Sequence, residues 1–197
     1  MSEWFFTSDL HGQGALYEQL VALAAAHRPA ALLLGGDLAP HAAGEEGVRQ
    51  QRLFLEGFFV EFARRLREAS PGLELLVLPG NDDWAANLDV LEALDGSLWR
   101  LLHGRVVEAG GVRVAGCAWT PITPFAIKDW ERWEDGGPES PARLEGWVSW
   151  SGRLERARLD PDRRAPTIAG ALGELGERAG AEALYVLHSP PRDTACD

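Results

Sequence analysis

Cysteine, lysine and methionine are almost absent from this chain. Cys117 and Cys196 are its only cysteines. They offer neither a disulfide framework nor a CxxC metal site, so a reducing cytoplasm is the expected location. Lys128 is the only lysine, a bias we read as composition rather than function. No apolar run approaches the ~18 residues of a membrane-crossing helix. No basic segment precedes an apolar one after Met1, so no signal peptide is expected. No GxxxxGK[ST] occurs and no GxGxxG follows the first apolar run, which argues against a P-loop or Rossmann nucleotide binder. Positive charge is scarce too: 19 Lys and Arg face 30 Asp and Glu, a net −11. Binding to nucleic acid or to an anionic membrane is therefore not expected. A phosphate substrate stays open, because bound cations dominate the field of a small site.

What is present suits one soluble domain over residues 1–197. With 46% hydrophobic and 25% charged residues, the chain can bury a proper core. Trp4 to Thr7, Ala31 to Leu34 and Leu73 to Leu78 read as buried strands. Between them, Gly14 to His27 has helical spacing at Leu16, Leu20, Leu23 and Ala24, and Pro29 ends it. Val48 to Glu68, with Leu53, Phe54, Phe58, Phe62 and Leu66, reads as one long amphipathic helix, and Ala86 to Leu94 as a shorter one. This alternation predicts an α/β fold with parallel strands and helices packed on the sheet. Further on, Gly104 to Glu108 and Val112 to Cys117 flank Ala109-Gly110-Gly111, a hairpin signal. Trp119 to Pro141 reads as a long loop, Arg143 to Arg158 and Pro166 to Gly180 as helices, and Ala183 to Leu187 as the last strand.

Four short motifs sit where strands should end, and open α/β sheets bind ligands there. Asp9-Leu10-His11 places a carboxylate and an imidazole two residues apart, on one side of an extended chain; the alternative is a helix cap and a loop histidine. Gly35-Gly36-Asp37 lets backbone approach a ligand, with Asp37 free to bridge two cations; it also suits a plain turn. Gly80-Asn81-Asp82-Asp83 offers an amide oxygen and two carboxylates, or an Asx turn with Asp83 as a cap. His188 follows the last strand, with Ser189-Pro190-Pro191 after it. His27, His41 and His103 read as surface or loop residues. Jointly, the four motifs supply the oxygen and nitrogen ligands of two divalent ions.

In order and spacing these motifs resemble the calcineurin-like metallophosphoesterase superfamily. That pattern runs D-x-H, G-D, G-N-H-D/E, H and G-H-x-H. The matches are Asp9-x-His11, Gly36-Asp37, Gly80-Asn81 and His188. Ala118 to Phe125, with Thr120-Pro121 and Thr123-Pro124-Phe125, resembles a subgroup of small prokaryotic members. The resemblance implies a four-layer α/β/β/α sandwich of mixed sheets around a two-metal centre. By position, Asp9 and His11 would hold one metal, Asp37 would bridge, and Asn81 and His188 would hold the other. Mn2+ is the expected ion, with Fe, Zn, Ni or Mg as alternatives. Two ions ~4 Å apart clamp a phosphoryl group and turn a bridging water into hydroxide near neutral pH. That hydroxide would attack phosphorus in line, with Asp37, Asn81 and Asp82 as the catalytic residues.

Two departures qualify the match. Asp82 stands where the family has the histidine that stabilises the transition state or protonates the leaving group. The G-H-x-H motif is absent: no histidine follows His188. The domain is therefore expected to be C-terminally incomplete, without its last strand or strands. An exposed sheet edge would then allow copies to associate. The leading expectation is a metal-dependent phosphodiesterase acting on a small phosphoester. The alternative is a catalytically weak or inactive scaffold of the same kind that binds a partner protein. Trp119, Trp130, Trp133, Trp147 and Trp150 read either as a lid or as packing of loop on sheet.

Overall fold

The parallel sheet follows from three apolar runs buried on both faces. The computed structural model describes residues 3–135, 143–160 and 166–190. Strands β1 (Trp4–Thr7), β2 (Ala31–Leu34), β3 (Glu74–Val77) and β4 (Arg100–Leu101) form one sheet in that order, all parallel. Leu32, Leu34, Leu75 and Val77 point to one side, among Tyr17, Phe59, Phe62 and Leu66 of the helices. Ala31, Leu33, Leu76 and Leu78 point to the other, among Val107, Val114 and Val186. Two covered faces explain why these strands read as continuous apolar runs rather than alternating ones. The two-residue β4 is too short to show in the sequence.

The helices on the first face are α1 (Gly14–His27), α2 (Gly44–Phe54), α3 (Val60–Ala69) and α4 (Leu88–Ala93). Residues Leu55–Phe59 between α2 and α3 form a π-helical turn. The long helix expected over Val48 to Glu68 is thus interrupted, and its buried register shifts. Gln51, Leu55, Phe59, Phe62 and Leu66 face inward, while Leu53 and Phe58 are exposed. A single inserted residue accounts for the change, and such turns concentrate at functional sites.

The second sheet holds β5 (Val106–Ala109), β6 (Val112–Cys117) and β9 (Leu184–Leu187), in the order β5-β6-β9. β5 and β6 make the expected hairpin, with Ala109 paired to Val112 across Gly110-Gly111. Both glycines have positive φ, 52° and 78°, as a two-residue primed turn requires. β9 runs parallel to β6. Helix α5 (Ile168–Ala179) packs Leu175 and Ala179 on Ala115 and Cys117. The helix expected over Arg143 to Arg158 is instead an antiparallel pair, β7 (Glu145–Val148) and β8 (Glu155–Arg158). Its backbone is taken by the preceding loop: Trp147 N donates to Ala126 O, and Trp147 O accepts from Lys128 N, both at 2.8 Å. A Cβ at Gly146 would meet Ala126 O, so that close approach needs glycine. Tertiary pairing here overrides the helical preference of Arg, Leu and Glu.

Lys128, which the sequence alone presents as a compositional remnant, is wholly buried. Its ammonium donates to Glu131 Oε2 and to Thr123 O, both at 2.7 Å. His103, expected to be a surface or loop residue, lies between β4 and β5 and is tucked against the Trp119 and Trp130 rings. Its Nδ1 accepts from Ala118 N, and burial pushes its imidazole down to about 4. Trp130 and Trp133 are core residues, so for these two tryptophans packing describes the environment. Cys117 is a free buried thiol; Cys196, Pro191 and the chain end at Asp197 lie outside the described residues.

Removing one partner of a buried ion pair strands the other charge. Lys128→Met should lower unfolding free energy by about 3–5 kcal/mol. The double variant Lys128→Met/Glu131→Leu should lose clearly less. Urea denaturation of the three proteins checks this, and equal losses in single and double variants would contradict it.

Candidate metal centre

Thr7, Leu34 and Val77 lie side by side in the parallel register. The segments that follow them therefore leave the sheet together at one end. Asp9 N donates to Gly36 O at 3.0 Å, His11 N to Asp37 O at 2.8 Å and Gly12 N to Leu38 O at 2.9 Å. This ladder lays the first ligand loop on the second. Asp9, His11 and Asp37 take left-handed backbone, with φ of 58°, 44° and 55°. The Asp9–His11 convergence thus comes from two left-handed residues, not from an extended chain as the sequence suggested. Such conformations cost about 1–2 kcal/mol each in non-glycine residues, and they gather at functional sites.

Asp37 is buried and faces two ways. Its Oδ2 lies 3.7 Å from His11 Nε2, and its Oδ1 lies 3.5 Å from His188 Nε2. Ligand atoms of Asp9, His11 and Asp37 all fall within 4.8 Å of one another, a grouping able to hold a metal ion. On the other side, His188 Nε2 lies 3.0 Å from Asn81 Oδ1. The His188 Nδ1 contacts Gly35 O at 2.9 Å. A carbonyl only accepts, so Nδ1 carries the proton and Nε2 points into the site. This is the outer hydrogen bond that orients metal-ligating histidines. A Cβ at Gly36 would strike the His188 ring, and one at Gly80 would strike Asp37 and His188; the two glycines make room for both ligands.

The donor set fits divalent cations. Carboxylate, amide and imidazole are ligands for Mn2+, Zn2+ or Fe2+. Asp37 Oδ1, Asn81 Oδ1 and His188 Nε2 converge with acceptor character. His11 Nδ1 is buried and has no hydrogen-bond partner, a costly state that a cation or water relieves. Burial pushes the Asp37 carboxyl above its ordinary value. Asp9, His11, Asp37, Asn81 and His188 are thus brought together.

Asp82 lines the same place, with its side chain mostly buried. Its Oδ2 contacts His41 Nδ1 and lies 3.5 Å from His11 Nδ1. Its backbone N donates to Asp37 Oδ1 at 2.8 Å. Three neighbours take roles that the sequence did not assign them. Asp83 is no helix cap: its carboxylate accepts from Leu38 N and Ala39 N across the site and from Gly80 N beside it. Gln51 bridges Pro40 O, Asp82 O and Trp84 N. Its i, i+4 relation to Gly47 and Leu55 on the buried helix face is the available signal. His41, expected to be a loop or surface residue, joins the site through Asp82, and only its nearness to Asp37 in sequence hints at this.

No family model and no curated relative matches this chain. Among solved structures, TT1561 of Thermus thermophilus aligns with a TM-score of 0.59 and 20% identity, over 100% of this chain and 72% of that one. A second solved chain aligns at a TM-score of 0.46 and 16% identity, over 59% of this chain and 53% of that one, and carries no argument. The first likeness establishes a shared fold, an α/β architecture with a parallel sheet and helices.

Burial pushes the Asp83 carboxyl from 3.8 up to about 6, with Asp37 adding to the rise. A raised carboxyl binds its proton more tightly in the folded state. Its contribution to stability is therefore full below about pH 4 and lost as pH rises through about 6. Carboxyl carbon NMR of metal-free protein should show Asp83 titrating near 6; titration at or below 3.8 would contradict this environment.

Proposed function

We propose that this chain is a metal-dependent phosphoesterase of the calcineurin-like type, a phosphodiesterase rather than a monoesterase. The observation that carries the reading is Asp37, with one oxygen toward His11 and the other toward His188 and Asn81. A carboxylate so placed suits two cations, the first with Asp9 and His11, the second with Asn81 and His188. When bound, divalent ions supply a nucleophilic water near neutral pH and neutralise charge on phosphoryl oxygens. The protein's own part is to hold five ligands on four strand ends and to fix the tautomer of His188 through Gly35 O. The preference for diesters rests on Asp82, which stands where the resembled family has a histidine. A four-layer α/β/β/α sandwich belongs to the same proposal. The packing order supports it: helices on the first sheet, that sheet on the second, and α5 outermost. We place the protein in the cytoplasm, with Mn2+ as its first metal and a small phosphoester as substrate.

One observation favours the scaffold reading. Among the described residues β1 pairs only with β2, and β9 only with β6. Between these edges runs a groove lined by Trp4, Phe6, Leu184, Tyr185 and His188. Phe6 and Tyr185 are exposed there, and bare edges with apolar side chains invite pairing with another chain.

The test is hydrolysis of bis(4-nitrophenyl) phosphate in Mn2+ by wild type and Asp37→Asn. Wild type should turn over, and the variant should lose about 10²-fold or more, the several kcal/mol that metal assistance supplies. Equal rates in the two proteins would remove the phosphoesterase assignment and leave the scaffold.

A further inference from the structure

The loop after β2 carries one side chain that the five ligands do not use. The His41 side chain is 77% exposed, yet the backbone on both sides of it is fixed from beneath. Gln51 Nε2 donates to Pro40 O at 3.1 Å, and Trp84 Nε1 donates to Ala42 O at 3.0 Å. Gln51 and Trp84 are both buried. Gln51 Nε2 also donates to Asp82 O at 2.7 Å, and its Oε1 accepts from Trp84 N at 2.8 Å. A single buried amide therefore sets the position of His41 and Asp82 together. Surface histidines with no task have no need of such support.

Asp82 reaches outward and inward with one oxygen. Its Oδ2 contacts His41 Nδ1 and lies 3.5 Å from His11 Nδ1. His41 thus stands one carboxylate away from His11 of the Asp9, His11 and Asp37 cluster, with its own ring exposed. The Asp82 carboxylate holds the His41 Nδ1 proton, which leaves Nε2 as the ring's remaining polar atom. The same hydrogen bond makes the imidazole keep its proton more tightly than usual.

We propose that His41, oriented by Asp82, is the general acid that protonates the departing alcohol. The inference rests on the phosphoesterase reading. As the bond from phosphorus to the leaving oxygen breaks, its electron pair stays on that oxygen and takes the proton from His41 Nε2. Asp82 remains a carboxylate and holds the neutral ring through Nδ1. The exposed ring then regains a proton from water. Over the whole reaction one water adds across the P–O bond, its hydroxyl to phosphorus and its hydrogen to the alcohol. Asp82 is accordingly a positioning residue, and His41 is the catalytic one.

Leaving-group dependence tests this directly. The substrates are methyl 4-nitrophenyl phosphate and methyl phenyl phosphate, whose leaving oxygens differ greatly in basicity, with Mn2+ present. His41→Ala and His41→Gln should lose about 10²-fold on the phenyl ester, the scale of general-acid help, and far less on the nitrophenyl ester. The ratio of the two kcat values should fall by about tenfold or more. Asp82→Asn should move that ratio in the same direction with little change in KM. Mn2+ affinity by calorimetry and Tm should match wild type in both His41 variants. An unchanged ratio in both His41 variants overturns the inference while leaving the phosphoesterase reading intact. Failure of wild type to cleave either ester overturns both.

Discussion

Asp83 is the constraint on which the site depends. Its buried carboxylate accepts backbone hydrogen bonds from Leu38, Ala39 and Gly80. It thereby locks the loop that carries Asp37 to the loop that carries Asn81. Its carbonyl oxygen accepts from Trp130 Nε1 at 2.6 Å, which ties both loops to the aromatic core behind the first sheet. Burying a carboxylate is costly even when it is bonded, and its raised proton affinity records that cost. The return is geometric. With Asp83 in place the two loops are held together, and Asp37 lies with an oxygen toward each histidine.

The ligands are held against their local preferences. Asp9, His11 and Asp37 are all left-handed, and the backbone ladder from Asp9, His11 and Gly12 to Gly36, Asp37 and Leu38 keeps them so. Acceptors then crowd together: Asp37, Asn81 and His188 on one side, Asp9 and His11 on the other. In a chain of net charge −11, this gathers acceptor atoms just beyond β1, β2 and β3 of one sheet and β9 of the other. Divalent cations are the chemical class that relieves this crowding. Gln51 extends the same organisation outward to Asp82 and His41, through the helix interrupted at Leu55–Phe59.

The strand ends are legible because each of three apolar runs meets glycine or aspartate within three residues of its end. β1, β2 and α1 lie where the sequence puts them, for strong periodicity and a following Pro29 leave little choice. The second half is less legible. Arg143 to Arg158 has helix-forming residues, but its partner is the loop at Ala126 and Lys128, and no local pattern announces a distant partner. The inserted residue at Leu55–Phe59 misleads the helical count in the same way and hides Gln51. Asp83 and Lys128 escape because burial of a charge is decided by what surrounds it, not by its neighbours in sequence. His41 escapes because its partner lies 41 positions away.

The central proposal is that Asp37, with an oxygen toward each histidine, serves two cation positions. Anomalous diffraction at the manganese edge, on crystals grown with Mn2+, measures this without recourse to a substrate. The account predicts two peaks about 4 Å apart, one contacting His11 and one contacting His188, with Asp37 between them. A single peak that touches only one of those histidines, or none at Asp37, would contradict it.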